Sequence, residues 1–296
     1  MKTNFNRRSA IKGILASTAA LSIPLELSAF GLSKEKTTTI PMLKGNINHS
    51  VSRWCFNSLD LETLCIEAKK MGITGIDLVG PEAWPTLKKY NLISTMCNGA
   101  ELNLVDGFND IQFHEKLIQR YTEMIPRVAE AGYKNLICFS GNRRGKTDEE
   151  GWNNCVIGLQ KLIPLAEKHN ITLVMELLNS KIDHKDYQCN KTSWGVELVK
   201  RINSDHFKLL YDIYHMQIDE GDVIRTIKDN IQHIAHFHTA GVPGRNEIDE
   251  TQELNYPAIM RAIAGTGFKG FVGQEFVPKY TDKLASLQQA ITICDI

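Results

Sequence analysis

The sequence predicts a single (β/α)8 barrel, an α/β fold, over residues 45–296, on three observations. Short apolar runs rich in β-branched residues alternate with helical patterns, eight strands with roughly eight helices, the number and length of such a barrel. Helical segments end on glycine and step directly into the next apolar run, as at Gly72, Gly132 and Gly265-Thr266-Gly267. No G-x-G-x-x-G follows the first strand, where a doubly wound open sheet would carry its phosphate loop.

In chain order, Val51–Cys55 is the first strand and Leu59–Met71 the first helix, closed by Gly72. Gly75–Val79 and Ile93–Cys97 are the next two strands. Ile111–Ala131 repeats apolar residues at helical spacing up to Gly132, and Asn135–Ser140 is strand four. The loop Gly141-Asn142-Arg143-Arg144-Gly145 then lacks the Lys-Ser/Thr ending of a phosphate-binding loop. Trp152–His169 is helical and leads to strand five, Thr172–Leu177. Helix Ser193–Ile202, strand Lys208–Asp212, helix Asp222–Asp229 and strand Ile234–Thr239 follow. Helix Pro257–Ala264, strand Gly270–Phe276 and helix Thr281–Ile293 complete the alternation. The strands are short and apolar, as parallel strands buried on both faces must be.

Residues 1–30 read as an export signal. Asn6-Arg7-Arg8-Ser9-Ala10-Ile11-Lys12 precedes a weakly apolar stretch, Gly13–Pro24, too short to span about 30 Å of hydrocarbon. The paired arginines resemble a twin-arginine signal, which implies a periplasmic protein with no stable membrane span after export. Residues 31–44 read as a linker. The formal charge is zero, yet the first 36 residues hold six basic groups against two acidic. Residues 37–296 are left with 28 basic and 32 acidic groups, and an acidic body argues against nucleic acid as a partner. The seven cysteines contain no C-x-x-C pair, and several lie in apolar runs, which reads as buried free thiols.

Chemistry in a barrel collects where the strands end. Strand five carries Glu176 in an apolar run, strand six ends at Asp212, strand seven holds His236 and His238 at period two, and strand eight carries Glu275. Buried carboxylates cost several kcal/mol apiece without a compensating cation, and these strands supply no run of Lys or Arg. Glu176, Asp212, His238 and Glu275 therefore read as ligands of one divalent metal. Three oxygen donors and one imidazole favour Mn²⁺ or Mg²⁺, with Co²⁺ and Zn²⁺ also compatible. His236 faces the same side one layer deeper and reads as a supporting or core histidine. His215, placed in a loop after Asp212, suits donation to a substrate hydroxyl. Arg245, Asn179 and Lys181 are further candidates for contact with substrate, and His184 reads as a surface residue.

These residues resemble the xylose isomerase-like barrel superfamily, and within it the hydroxypyruvate isomerase-like proteins. Met175-Glu176-Leu177-Leu178-Asn179 is similar to the family's strand-five Glu and following turn. Leu210-Tyr211-Asp212-Ile213-Tyr214-His215-Met216-Gln217 is similar to a segment shared with ketose 3-epimerases. Val242-Pro243-Gly244-Arg245-Asn246-Glu247 resembles the Val-Pro-Gly-Arg-x-Glu loop, and Gln274-Glu275-Phe276 closes the set. The resemblance implies that Glu176 and Glu275 flank a small sugar or keto acid as an acid/base pair, with His215 and Arg245 on its oxygens. Position 238 is His, as in ketose epimerases, where hydroxypyruvate isomerases tend to have Gln. The turn after strand five also lacks the usual Pro-Gly. Both departures, with the export signal, move the implied substrate from hydroxypyruvate toward sugars. The expected activity is a metal-dependent isomerase or epimerase. The alternatives are a lyase or hydratase of a keto-sugar, a non-catalytic periplasmic sugar-binding barrel and, last, a zinc endonuclease of the same superfamily. Barrels of this type often pair, so a homodimer is compatible with the sequence.

Overall fold

The computed structural model describes residues 42–296, and the leader lies outside the described residues. Eight parallel strands close into a barrel in chain order. They are β1 (Asn48–Ser52), β2 (Gly75–Val79), β3 (Ile93–Cys97), β4 (Asn135–Cys138), β5 (Thr172–Glu176), β6 (Phe207–Asp212), β7 (Ile234–Thr239) and β8 (Phe271–Gln274). The surrounding helices are α1 (Leu61–Lys70), α2 (Trp84–Lys89), α3 (His114–Glu130), α4 (Asp148–Leu159), α5 (Ile163–His169), α6 (Thr192–Ile202), α7 (Ile213–Asp219), α8 (Val223–Asn230), α9 (Tyr256–Gly265) and α10 (Lys283–Cys294). No helix among the described residues is long and apolar enough to cross a membrane.

Strand composition follows from this arrangement. Leu136, Leu173, Val174, Met175, Leu209, Leu210 and Phe237 are fully buried, because each strand faces either the barrel interior or the helical ring. All seven cysteines are buried and free. Local signals set the helix ends. Asp60 accepts from the Thr63 amide at 2.8 Å to start α1, and Thr147 with Glu150 forms a reciprocal cap on α4. Gly72 and Gly132 take left-handed backbone angles where the chain leaves a helix for the next strand, as their positions in the sequence suggested.

Helix α2 has no counterpart in the sequence expectation, and four further elements differ from it. The first strand runs Asn48–Ser52 because those residues pair with β8 and β2, while Arg53–Phe56 turn into a short 3₁₀ segment. The helix expected over 152–169 is two, α4 and α5, because Pro164 has no amide to donate back to Gln160. Ile111–Phe113 is a 3₁₀ turn leading into α3. The segment after β6 is helix α7, and Asp212 caps it through Oδ1, 2.8 Å from the Tyr214 amide and 3.2 Å from that of His215.

Tyr256 links this scaffold to the site. Its hydroxyl accepts from the Ala240 amide at 2.9 Å and donates to the Ala240 carbonyl at 2.7 Å, tying α9 to the exit of β7. Tyr256→Phe leaves both backbone groups buried without a partner, at an expected cost of about 1–3 kcal/mol. The measurement is the denaturant midpoint of unfolding, and an unchanged midpoint would contradict the role.

Candidate metal centre and active site

Glu176 ends β5, Asp212 ends β6, His238 lies near the end of β7 and Glu275 directly follows β8. Parallel strands all point these ends to one rim, so four residues distant in sequence converge. The four residues are at most 4% exposed, and one donor atom from each lies within 4.8 Å of the others.

Glu275 is the most heavily held. Its Oε1 accepts from Trp54 Nε1 at 2.7 Å and Ser52 Oγ at 3.2 Å. Its Oε2 lies 2.6 Å from an Arg245 Nη and 3.0 Å from His238 Nδ1. The same arginine nitrogen is 3.5 Å from Asp212 Oδ2. The Arg245 guanidinium rests between the rings of Trp54 and Tyr214, 5.1 and 5.5 Å from their centroids. The loop that carries it is anchored at both ends. Arg245 N donates to Gly241 O at 2.9 Å, Val277 N donates to Arg245 O at 2.7 Å, and buried Glu247 accepts from the Lys279 and Tyr280 amides and from Ser286 Oγ. Glu176, by contrast, has one side-chain partner, His238 Nδ1 at 3.3 Å.

Charge separates these groups. Burial pushes Asp212 up, with Glu275 and Glu176 adding to the effect against Arg245, so that it titrates at about 8. Burial and the charge of Glu275 also raise Glu176. Burial acts on Glu275 in the same sense, but His238 and Arg245 hold it well below the usual carboxylate range. His238 is disfavoured as a cation by burial, yet Glu275, Asp77 and Glu176 together raise it well above an ordinary imidazole. Among the described residues Arg245 is the one guanidinium or ammonium paired with these carboxylates, touching Asp212 and Glu275 and not Glu176, so the three carboxylates outnumber their fixed cations by two. The raised Asp212, Glu176 and His238 express that deficit as bound protons. A divalent cation would supply the missing charge, and three oxygens with one imidazole nitrogen suit it.

The other predicted residues divide. His215 is fully buried on α7, not in a loop. Asn179 Oδ1 accepts from the Ile182 and Asp183 amides, so its Nδ2 donates to His215 Nδ1 at 2.6 Å and to Asp183 at 2.7 Å. The proton of neutral His215 is thereby placed on Nε2, which has no hydrogen-bond partner and lies 3.6 Å from Asp212 Oδ2. Burial, with Arg245 and His184 nearby, keeps this imidazole neutral by lowering it well below its ordinary value. Asn179 is thus a support for His215. Lys181 turns away, its Nζ donating to the carbonyls of Ile218 at 2.7 Å and Asp219 at 2.9 Å at the end of α7. His236 is fully buried and meets Asp77 at 2.8 Å, with its ring 5.1 Å from that of His238. His184 is half-buried with its ring 5.2 Å from that of His215, not a free surface residue.

Trp54, Tyr214 and Asp77 were not among the candidate site residues. The sequence offered for Trp54 only its place near the end of the first strand, Val51–Cys55. Tyr214 donates to Asp183 at 2.8 Å, beside the Asn179–His215 pair.

The chain is similar to known proteins over most of the barrel. Residues 66–292 match the family described as xylose isomerase-like TIM barrel. A 2-oxo-tetronate isomerase of Cupriavidus necator is 35% identical over 114 residues, covering 38% of this chain and 43% of that protein. A hydroxypyruvate isomerase of Escherichia coli is 29% identical over 151 residues, covering 51% of this chain and 58% of that one. The matched segments thus span less than two thirds of either relative. A crystal structure of an AP endonuclease, family 2, from Brucella melitensis superposes with a TM-score of 0.72 at 25% identity, covering 83% of this chain and 97% of that one.

Proposed function

The chain belongs to the xylose isomerase-like TIM barrel family, and on that premise we propose that it is a metal-dependent isomerase or epimerase of a small sugar or keto acid, working by proton abstraction α to a carbonyl. The observation carrying this reading is the convergence of Glu176, Asp212, His238 and Glu275 around a two-charge deficit. The isomerase relatives support the reaction class. The acidic body, with 28 basic against 32 acidic groups over residues 37–296, opposes carrying over the endonuclease title of the structural relative.

Glu176, Asp212, His238 and Glu275 would hold the ion, Mn²⁺ or Mg²⁺ by their donor chemistry. Bound there, a divalent ion stabilises negative charge developing on a carbonyl oxygen during enolisation. The two glutamates face the substrate from β5 and β8, three staves apart in the closed barrel. Glu176 accepts a single side-chain hydrogen bond, from His238, and is the less firmly held of the two glutamates, which suits it to take the carbon-bound proton. Glu275, held ionised by Trp54, Arg245 and His238, takes the proton of the neighbouring substrate hydroxyl and returns it to the former carbonyl oxygen, while Glu176 returns the carbon-bound proton to the adjacent carbon. Neutral His215 offers Nε2–H to a substrate hydroxyl, and Arg245 offers its remaining N–H groups to a second oxygen. Near-complete burial keeps competing water from the base. The leader of residues 1–30 further supports periplasmic placement by twin-arginine export.

The deciding experiment incubates metal-loaded protein in D2O with a panel of keto-sugars and keto acids, followed by NMR. Deuterium entering the carbon next to the carbonyl while the carbon skeleton stays intact is the expected result. Loss of a β-substituent would reassign the chain to elimination. No exchange with any responsive ligand would leave a sugar-binding barrel.

A further inference from the structure

Behind His238 lies a second polar group, unlike the first in having no exposure at all. Asp77 sits on β2 with 0% of its surface accessible. Its carboxylate accepts from Thr95 Oγ1, from Ser50 Oγ at 2.9 Å and from His236 Nε2 at 2.8 Å. Strands β1, β2, β3 and β7 thus converge on one anion inside the barrel. The carboxylate crosses the interior toward β7 because Gly273, opposite both Ser50 on β1 and His238 on β7, leaves the space open. A Cβ at Gly273 would collide with Asp77 Oδ2 and stand 2.9 Å from His238 Cδ2.

His238 bridges the two groups. Its Nδ1 faces Glu176 and Glu275 at 3.3 and 3.0 Å, while Nε2, without a hydrogen bond of its own, has Asp77 Oδ2 at 3.3 Å. We propose that Asp77 is a positioning residue: its carboxylate accepts the Nε2–H of His238, which leaves the Nδ1 lone pair aimed at the ion site, and Gly273 is the gap that lets it do so. A histidine ligand needs its other ring nitrogen held by an acceptor, and such partners govern both tautomer and ring orientation. Asp77 has the three donors that keep it an anion in that place, so its position does not depend on the ion.

This rests on the metal reading above, and the test separates the two. Metal-free wild-type, Asp77→Asn and Gly273→Ala proteins are titrated with Mn²⁺ by calorimetry, and the ring nitrogens of ¹⁵N-histidine-labelled wild type are observed with Zn²⁺ bound. Expected are one ion per wild-type chain, Kd weakened about 10- to 100-fold in both variants, and a protonated Nε2 on His238. Wild-type Kd in both variants, or the proton on Nδ1, would overturn the positioning role while leaving the metal centre. Two ions per chain would do the same by making Asp77, His236 and His238 a ligand set of their own. No ion bound by the wild type would overturn both. Lower metal-free melting temperatures in the variants with wild-type Kd would give Asp77 a role in folding alone and overturn the positioning role. The wild-type spectrum requires no variant to fold.

Discussion

Glu176→Gln is expected to lower kcat on the responsive substrate by about 10²- to 10⁴-fold, the contribution of a positioned acid/base group. Glutamine keeps the volume and an oxygen toward His238, the single side-chain partner of Glu176, so the fold is undisturbed. What disappears is a carboxylate basic enough to take a carbon-bound proton. Glu275→Gln is expected to lose as much turnover, but less cleanly. Glu275 oxygens are shared among Trp54, Ser52, Arg245 and His238, and removing their charge leaves the arginine with Asp212 alone. The informative comparison is therefore kcat and the rate of deuterium entry from D2O, measured together in Glu176→Gln. Exchange continuing at the wild-type rate would remove Glu176 from the reaction. Unchanged ligand affinity without any wild-type turnover would make the protein a binder.

The site was legible in sequence to the extent that its chemistry is anomalous where it stands. Glu176 and Glu275 are charges within apolar strands, and Asp212 and His238 recur at the same rim of successive barrel staves. Periodicity places such residues on an end of the fold. It says nothing about what lies across the barrel. Asp77 is also a carboxylate in a strand, but its reach to β7 depends on the missing side chain at Gly273, almost two hundred residues away. Lys181 looked equivalent to Asn179 because both follow Glu176 on one turn. Its actual partners are the carbonyls ending α7, a seven-residue helix with too few turns to display a period. Arg245 was read as a substrate contact, and the structure adds that it neutralises Glu275 and Asp212, a duty set by the loop's folding back over the rim.

Removing divalent ions with a chelator is expected to abolish turnover and to expose a specific pH dependence of stability. Folded Asp212 titrates at about 8, above its ordinary 3.8, so the metal-free folded state holds a proton that the unfolded chain releases. The stability associated with that proton is fully present below about pH 4 and is lost as pH rises to about 8. Glu176 and His238, both raised, act in the same direction. Glu275, depressed, acts oppositely, its contribution disappearing only as pH falls into the acid range. These raised groups therefore lower the metal-free melting temperature between pH 6 and pH 8, while His215 and His49, held neutral by burial, act the other way. An ion replacing those protons competes with fewer of them as pH rises, so affinity increases. The difference in melting temperature between Mn²⁺-loaded and metal-free protein should accordingly widen from pH 6 to pH 8, with activity restored by the same ion. A difference that is absent, or constant across that range, would mean the three carboxylates are balanced by Arg245 and His238 alone, and the catalytic scheme would lose its electrophile.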